Sequence, residues 1–306
     1  SQALLYFALG GNANFDELIM GLSEDDQYQV TIPSVVITYR GISYYISASD
    51  TIGNESESDI FSVNVKFAEG DLSTDIQGSV LKDSLPRNKW RMISIPADLD
   101  VEDVETVLEV ALGEKTLETW VVKHWDGIAF TESETFLEGE GYWFIHDVDA
   151  PPSFETGSGT SPNQSGFTFK FDPGWNMIGN PYPFTTSFEL SDSLFSGPMT
   201  YGWTVEGWSD ETDLRPWAGY AVFNKSASVE AVTLKPVEIS TSLYRGIEVP
   251  VDGWQLNLSA YGETYVDPNN AIGRISGSSE QLDYRDNPEP PYLGGHVSLV
   301  MPRKEW

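Results

Sequence analysis

Trp90-Arg91-Met92-Ile93-Ser94-Ile95-Pro96 and Trp175-Asn176-Met177-Ile178-Gly179-Asn180-Pro181 are two versions of one segment. Downstream of the first lies Gly141-Tyr142-Trp143-Phe144, and downstream of the second Gly219-Tyr220-Ala221-Val222-Phe223. Trp120 and Trp125 stand between the first pair of anchors, and Trp203 and Trp208 between the second. Two matched anchors per stretch identify an internal repeat. A third start, Gly253-Trp254-Gln255-Leu256-Asn257-Leu258, lacks the second anchor; Trp90, Trp175 and Trp254 are spaced by 85 and then 79 residues. Each unit opens with a tryptophan strand that closes at Pro96 or Pro181, because proline has no N–H for a central ladder. In the first unit Asp126-Gly127, a hairpin turn signal, separates Thr119–Trp125 from Ile128–Phe130. The Gly-Tyr strand then returns to the core.

Working outward, the chain reads as strands almost throughout. Tyr28–Ile32, Phe61–Phe67 and Phe167–Phe171 alternate with period two, while Val35–Tyr39 and Ser43–Ala48 are β-branched or aromatic runs. Gly, Pro, Asn or Asp punctuates their ends. Helical spacing is strong only for Val101, Val104, Val107, Leu108 and Leu112. This predicts one helix over 100–112, capped by Asp98 or Asp100 and ended by Gly113. A single helical turn is expected at 187–195. Short strands with frequent turns predict an all-β chain of tandem antiparallel β-sandwich-like domains. The expected divisions are 1–69, 70–165 with a linker or exposed loop at 151–165, 166–240, and a partial third unit over 241–306.

Composition bounds the chemistry. The 306 residues carry 47 acidic and 17 basic side chains, a formal net charge of -30, which disfavours nucleic acid and anionic membrane surfaces as partners. No run of about 18 apolar residues is present, so no membrane insertion by a helix is expected. With no cysteine, disulfides, thiolate metal sites and cysteine nucleophiles are excluded. Aromatics at 13% supply ample core material. A chain starting at Ser1 reads as a mature product or a piece of a longer one.

Two stretches carry a resemblance. Leu4–Gly11, Phe15, Ile19-Met20, Tyr28–Pro33, Ile42–Asp50, Gly53-Asn54 and the strand ending at Phe67 resemble the second half of a fibronectin type III-like (Ig-like) domain of bacterial secreted proteins. The resemblance covers about 65 residues and implies about seven strands, the first two of which are not in this chain. Half a sandwich exposes an apolar face and unpaired edges. The missing strands are expected from preceding sequence or by donation from another chain. Trp175–Pro181, continuing as Tyr182-Pro183, is similar to a segment of large secreted proteins of the Bacteroidota and relatives. Those are exported by the type IX system, and Trp254–Asp283, Pro290-Pro291 and His296–Leu299 look like the region upstream of their sorting domain. The resemblance implies secretion or surface display and no particular chemistry.

No catalytic constellation emerges. His124, His146 and His296 lack ligand spacing. There is no Gly-x-Ser-x-Gly elbow, and Gly157-Ser158-Gly159 stands in a polar stretch. Glu132, Glu134, Glu138 and Glu140 alternate, as carboxylates often do in an acidic chain. The expectation is no enzyme and no cofactor except structural Ca2+, whose hard-oxygen ligands would be Asp50, Asn54, Glu55, Glu57 and Asp59. Asp283, Asp286 and Glu289 form a second acidic turn. Trp203, Trp208 and Trp217 are candidate sugar-stacking residues, with Trp208 and Trp217 the ones expected to be exposed. Thr51, Ser84 and Ser193 follow Asp and precede an apolar residue, the Asp-Ser/Thr-apolar pattern of Bacteroidota O-glycosylation. The functional expectation is a non-catalytic extracellular structural or adhesive protein, located outside the cell or on its surface. It would partner other domains or copies of itself by strand exchange. The alternative is a carbohydrate-binding accessory region of a secreted hydrolase.

Overall fold

A computed structural model describes residues 1–82, 87–116, 119–149, 155–201, 207–239, 253–262 and 266–276, together with 283, 286, 288–291, 297 and 299. The fold is all-β and antiparallel, with one α-helix among the described residues.

The N-terminal sheet comprises β1 (Gln2–Leu9), β2 (Asp16–Ile19), β5 (Ile42–Ser49), β6 (Glu55–Glu57) and β7 (Phe61–Val63). Its order is β2-β1-β5-β6, with β7 also pairing β5. A small ribbon, β3 (Gly21–Leu22) with β4 (Tyr28–Gln29), lies between β2 and β5 in sequence. Two runs read as strands fold differently. Ser34–Val36 is a 3-10 turn, because Pro33 sets its entry and Ile37 N–H closes back on Ser34 O. Phe61–Phe67 divides at Asn64-Val65: β7 stays in this sheet, while β8 (Lys66–Phe67) crosses to pair β14 (Gly159–Thr160).

The two repeats share one topology. In the first, β9 (Arg91–Ile93), β11 (Trp120–Trp125), β12 (Phe130–Glu132) and β13 (Tyr142–His146) form a sheet in the order β12-β11-β13-β9. In the second, β16 (Gly174–Gly179), β18 (Phe195–Tyr201), β19 (Trp208–Asp210) and β21 (Gly219–Asn224) form β19-β18-β21-β16. Each tryptophan strand therefore pairs with its Gly-Tyr strand at the far end of the unit. The tyrosine closes the preceding turn identically: Leu137 N–H donates to Tyr142 Oη at 2.7 Å and Arg215 N–H to Tyr220 Oη at 2.6 Å.

The repeats are not independent beads. Isolated bridges Ile93↔Ala218 and Ile178↔Glu140 are reciprocal under an approximate two-fold relation. So are Ser94 N–H to Trp217 O at 3.0 Å and Gly179 N–H to Gly139 O at 2.8 Å. This closeness explains the glycine of the Gly-Tyr anchor. A Cβ on Gly141 would lie 2.4 Å from Ile178 O, and one on Gly219 would lie 2.7 Å from Ile93 O. The sandwich forms across the pair: Met92, Trp143, Trp175, Met177, Met199, Trp208 and Ala221 fill the space between the two sheets.

The outer faces are covered by different devices. On the first repeat sits α1 (Val104–Leu112), burying Val104, Val107, Leu108 and Leu112 in a core shared with Trp120, Tyr142 and Phe144. Its N-cap is Asp103, whose carboxylate accepts Thr106 N–H at 2.7 Å, not Asp98 or Asp100; Gly113 ends it at φ +75°. Asp98 instead begins β10 (Asp98–Leu99), which pairs β14. On the second repeat, the ribbon β15 (Phe167–Phe171) with β22 (Glu230–Leu234) buries Phe169, Phe171 and Leu234. Where the first repeat has its helix, the second has β17 (Thr186–Ser187), which pairs the later β20 (Asp213–Leu214), and then one helical turn closed by Phe195 N–H on Ser191 O.

The stretch 155–165, read as linker, is built into the structure. Thr156, Ser161 and Gln164 are buried; Thr156 N–H bonds Leu72 O, Ser161 N–H bonds Val65 O, and Gln164 Nε2 donates to Arg40 O at 2.8 Å. A polar composition alone looks like a loop, but these side chains and amides satisfy buried backbone. Residues 150–154 lie outside the described residues. The last unit departs from the repeat: β23 (Gly253–Tyr261) pairs directly with β24 (Val266–Ile275) as a hairpin.

Candidate functional site

The tryptophans expected to be exposed are inside. Trp217 is completely buried and its indole N–H donates to Ser73 O at 3.1 Å. It reaches across from the second repeat into the core of the first. Its position matches Gly139 of the first repeat, and both adopt positive φ, +69° and +79°. Trp208 is buried in the inter-sheet core, meets Trp143 and Tyr201 edge to face, and donates to Pro288 O at 3.1 Å. The sequence reading failed because both sit next to turns, where exposure is usual, and a duplicated partner surface is not visible locally. Neither offers a face to a sugar ring. Trp203 lies outside the described residues.

Around Asp50 the carboxylate is already engaged. Its Oδ1 accepts Ile52 N–H and Asn54 N–H, both at 2.9 Å, and Oδ2 accepts Asn54 Nδ2. These bonds hold its pKa below the usual carboxylate range. Glu55 and Glu57 lie along β6, and Asp59 follows it; all are exposed. Asp283 and Asp286 bond each other's backbone. Among the described residues, no group of three or more His, Asp or Glu is placed to hold a metal. Thr51 and Ser193 are exposed, and Ser193 Oγ lies 2.9 Å from Ser191 Oγ; Ser84 lies outside the described residues.

His124 on β11 and His146 on β13 stay apart, since the register places Trp120 opposite His146; His296 lies outside the described residues. Ser158 Oγ donates to Asp100 Oδ2 at 3.0 Å. The buried Glu211 accepts Ser209 Oγ–H at 3.2 Å and lies 3.6 Å from Arg215. Burial outweighs the opposing pull of Arg215 and raises its pKa.

What the chain leaves open is β surface at both ends. Residues opposite one another across strands share a face. Ala3, Leu5 and Phe7 of β1 therefore face the same way as Tyr44, Ile46 and Ala48 of β5 and Phe61 and Val63 of β7. Ala3, Leu5 and Phe7 are buried, but Phe61 is 47% and Val63 44% exposed. Strand β2 on one side and strands β6 and β7 on the other are the sheet's unpaired margins among the described residues. At the other end, Trp254, Leu256 and Leu258 alternate along β23, with Trp254 57% and Leu256 51% exposed.

Sequence reasoning missed the residue that fixes the N-terminal sheet to the repeats. Arg40 donates Nε to Gly10 O at 2.8 Å, pairs through Nη2 with Glu238 at 2.6 Å, and lies 4.6 Å over the ring of Phe184. The parallel bridge Gly11↔Val237 adds backbone pairing. The one available signal was an Arg in a chain poor in cations. No family model, curated protein or solved structure matches the chain.

Proposed function

We propose that this chain is an extracellular structural or adhesive component, a surface or filament subunit or the stalk of a larger secreted protein. It works by presenting β surface to other domains or to copies of itself. The observation that carries the reading is the N-terminal sheet, whose apolar face runs from buried Ala3, Leu5 and Phe7 of β1 to exposed Phe61 and Val63 beside an open strand edge. An exposed apolar edge strand is a template for added strands. The net charge of -30 keeps the rest of the surface apart and leaves this region as the site of association. Secretion by the type IX route is part of the same proposal and rests on the sequence resemblance alone.

Sedimentation velocity over a concentration series tests it. The native chain is expected to form higher-order species, and Val63→Asp, a charge on the exposed face, is expected to keep it monomeric. A native chain that stays monomeric throughout contradicts self-association. Capture of a polysaccharide by the monomer would favour an accessory carbohydrate-binding role instead.

A further inference from the structure

Glu138 immediately precedes the seam where the first repeat meets the second. Its neighbour Gly139 accepts Gly179 N–H at 2.8 Å, Glu140 bridges Ile178, and Gly141 N–H reaches Met177 O at 3.3 Å. Phe167 packs so closely on Gly139 that a Cβ there would lie 2.4 Å from the ring. Glu138 is half-buried there, and its Oε1 is buried with no hydrogen-bond partner.

The groups around it are unfavourable to a charge, and Glu140, inside the seam itself, is a second carboxyl whose pKa burial raises. Asp98, on β10, adds a second carboxylate. Tyr182, following β16, feels the Glu138 charge, and its hydroxyl is committed to Asn163 O at 3.0 Å. Lys66, on the strand beyond β14, pairs with Asp100 at 3.7 Å. Burial first, and Asp98 second, push the Glu138 carboxyl up to about 7.

The other half of the pseudo-two-fold seam supplies a comparison. There Pro216 and Trp217 occupy the positions of Glu138 and Gly139, and Ser94 Oγ adds a bond to Ala218 O at 2.8 Å. That half has no titratable group at the matching place.

We propose that Glu138 is a proton-gated latch: as the neutral acid it leaves strand segments 139–141 and 177–179 zipped, and as the carboxylate it loosens them. An acid favoured in its neutral form by folding stabilises fully below its unfolded value, near 4.5. That contribution is lost as pH rises through the folded value, near 7. The seam is therefore tighter at pH 5 than at pH 8.

The direct test is a 13C NMR titration of the Glu138 carboxyl in the intact chain. A midpoint near 7 supports the latch; one closer to the ordinary Glu value of 4.5 than to 7 overturns it. In parallel, amide protection of Gly141 and Gly179, corrected for intrinsic exchange, is expected to fall at least several-fold from pH 5 to pH 8. In Glu138→Gln, neutral at every pH, that fall is expected to shrink to the part owed to Glu140, and in the double variant Glu138→Gln with Glu140→Gln to vanish. The same fall in the variant overturns the proposal, and the titration of the native chain decides the matter even if the variant does not fold.

Discussion

Trp217 shows at single-residue scale how a repeat becomes one half of a body. A left-handed backbone costs a non-glycine residue about 1–2 kcal/mol. Burying an indole removes ~150–250 Å² from water, about 4–6 kcal/mol at ~25 cal/mol per Å², so burial wins. Trp217→Ala is expected to cost about 3–5 kcal/mol in denaturant unfolding. Trp217→Gly should recover about 1 kcal/mol of that, because glycine accepts the φ of +69°. A Gly variant less stable than the Ala variant would show that strain is not stored there. The sequence marks Trp90 and Trp175 as equivalent positions, since both begin matched segments; Trp175 is buried and Trp90 partly so. It could not announce Trp217, because its core belongs to the other repeat.

At the scale of elements, period and turn chemistry were legible and pairing was not. The hairpin β11–β12 forms where Asp126-Gly127 stands, with Asp126 Oδ1 accepting Ile128 N–H and Ala129 N–H, both at 2.8 Å. The helix forms where its apolar spacing predicts, but begins three residues later than Asp100, at the aspartate whose carboxylate reaches the Thr106 amide. Asp103→Ala is expected to cost about 1 kcal/mol, and Asp100→Ala much less, by thermal unfolding. The reverse order would move the cap back to Asp100. Alternation through Phe67 makes β8 look continuous with β7 in the sequence. Its exit to pair β14 is set by the buried Phe67 and by 155–165, whose polar residues hid their role as backbone partners.

For the whole molecule, the repeat in the sequence identified two related units, and all-β architecture followed from their strands. The approximate two-fold pairing was not legible, since no residue carries it alone; it lies in glycines that admit a neighbouring backbone and in an aromatic core split between units. That pairing accounts for most of the tryptophans thought to be available to a ligand, and it shifts the functional weight to the N-terminal sheet. Arg40 and the Gly11↔Val237 bridge tie that sheet to the repeats. Hydrogen–deuterium exchange of the native chain, compared between dilute and concentrated samples, tests this most directly. The account predicts that concentration slows exchange in the edge strands β2 and β7 and leaves β9, β13, β16 and β21 unchanged. Assembly with unchanged exchange at β2 and β7, or with protection gained only in the repeats, would contradict it.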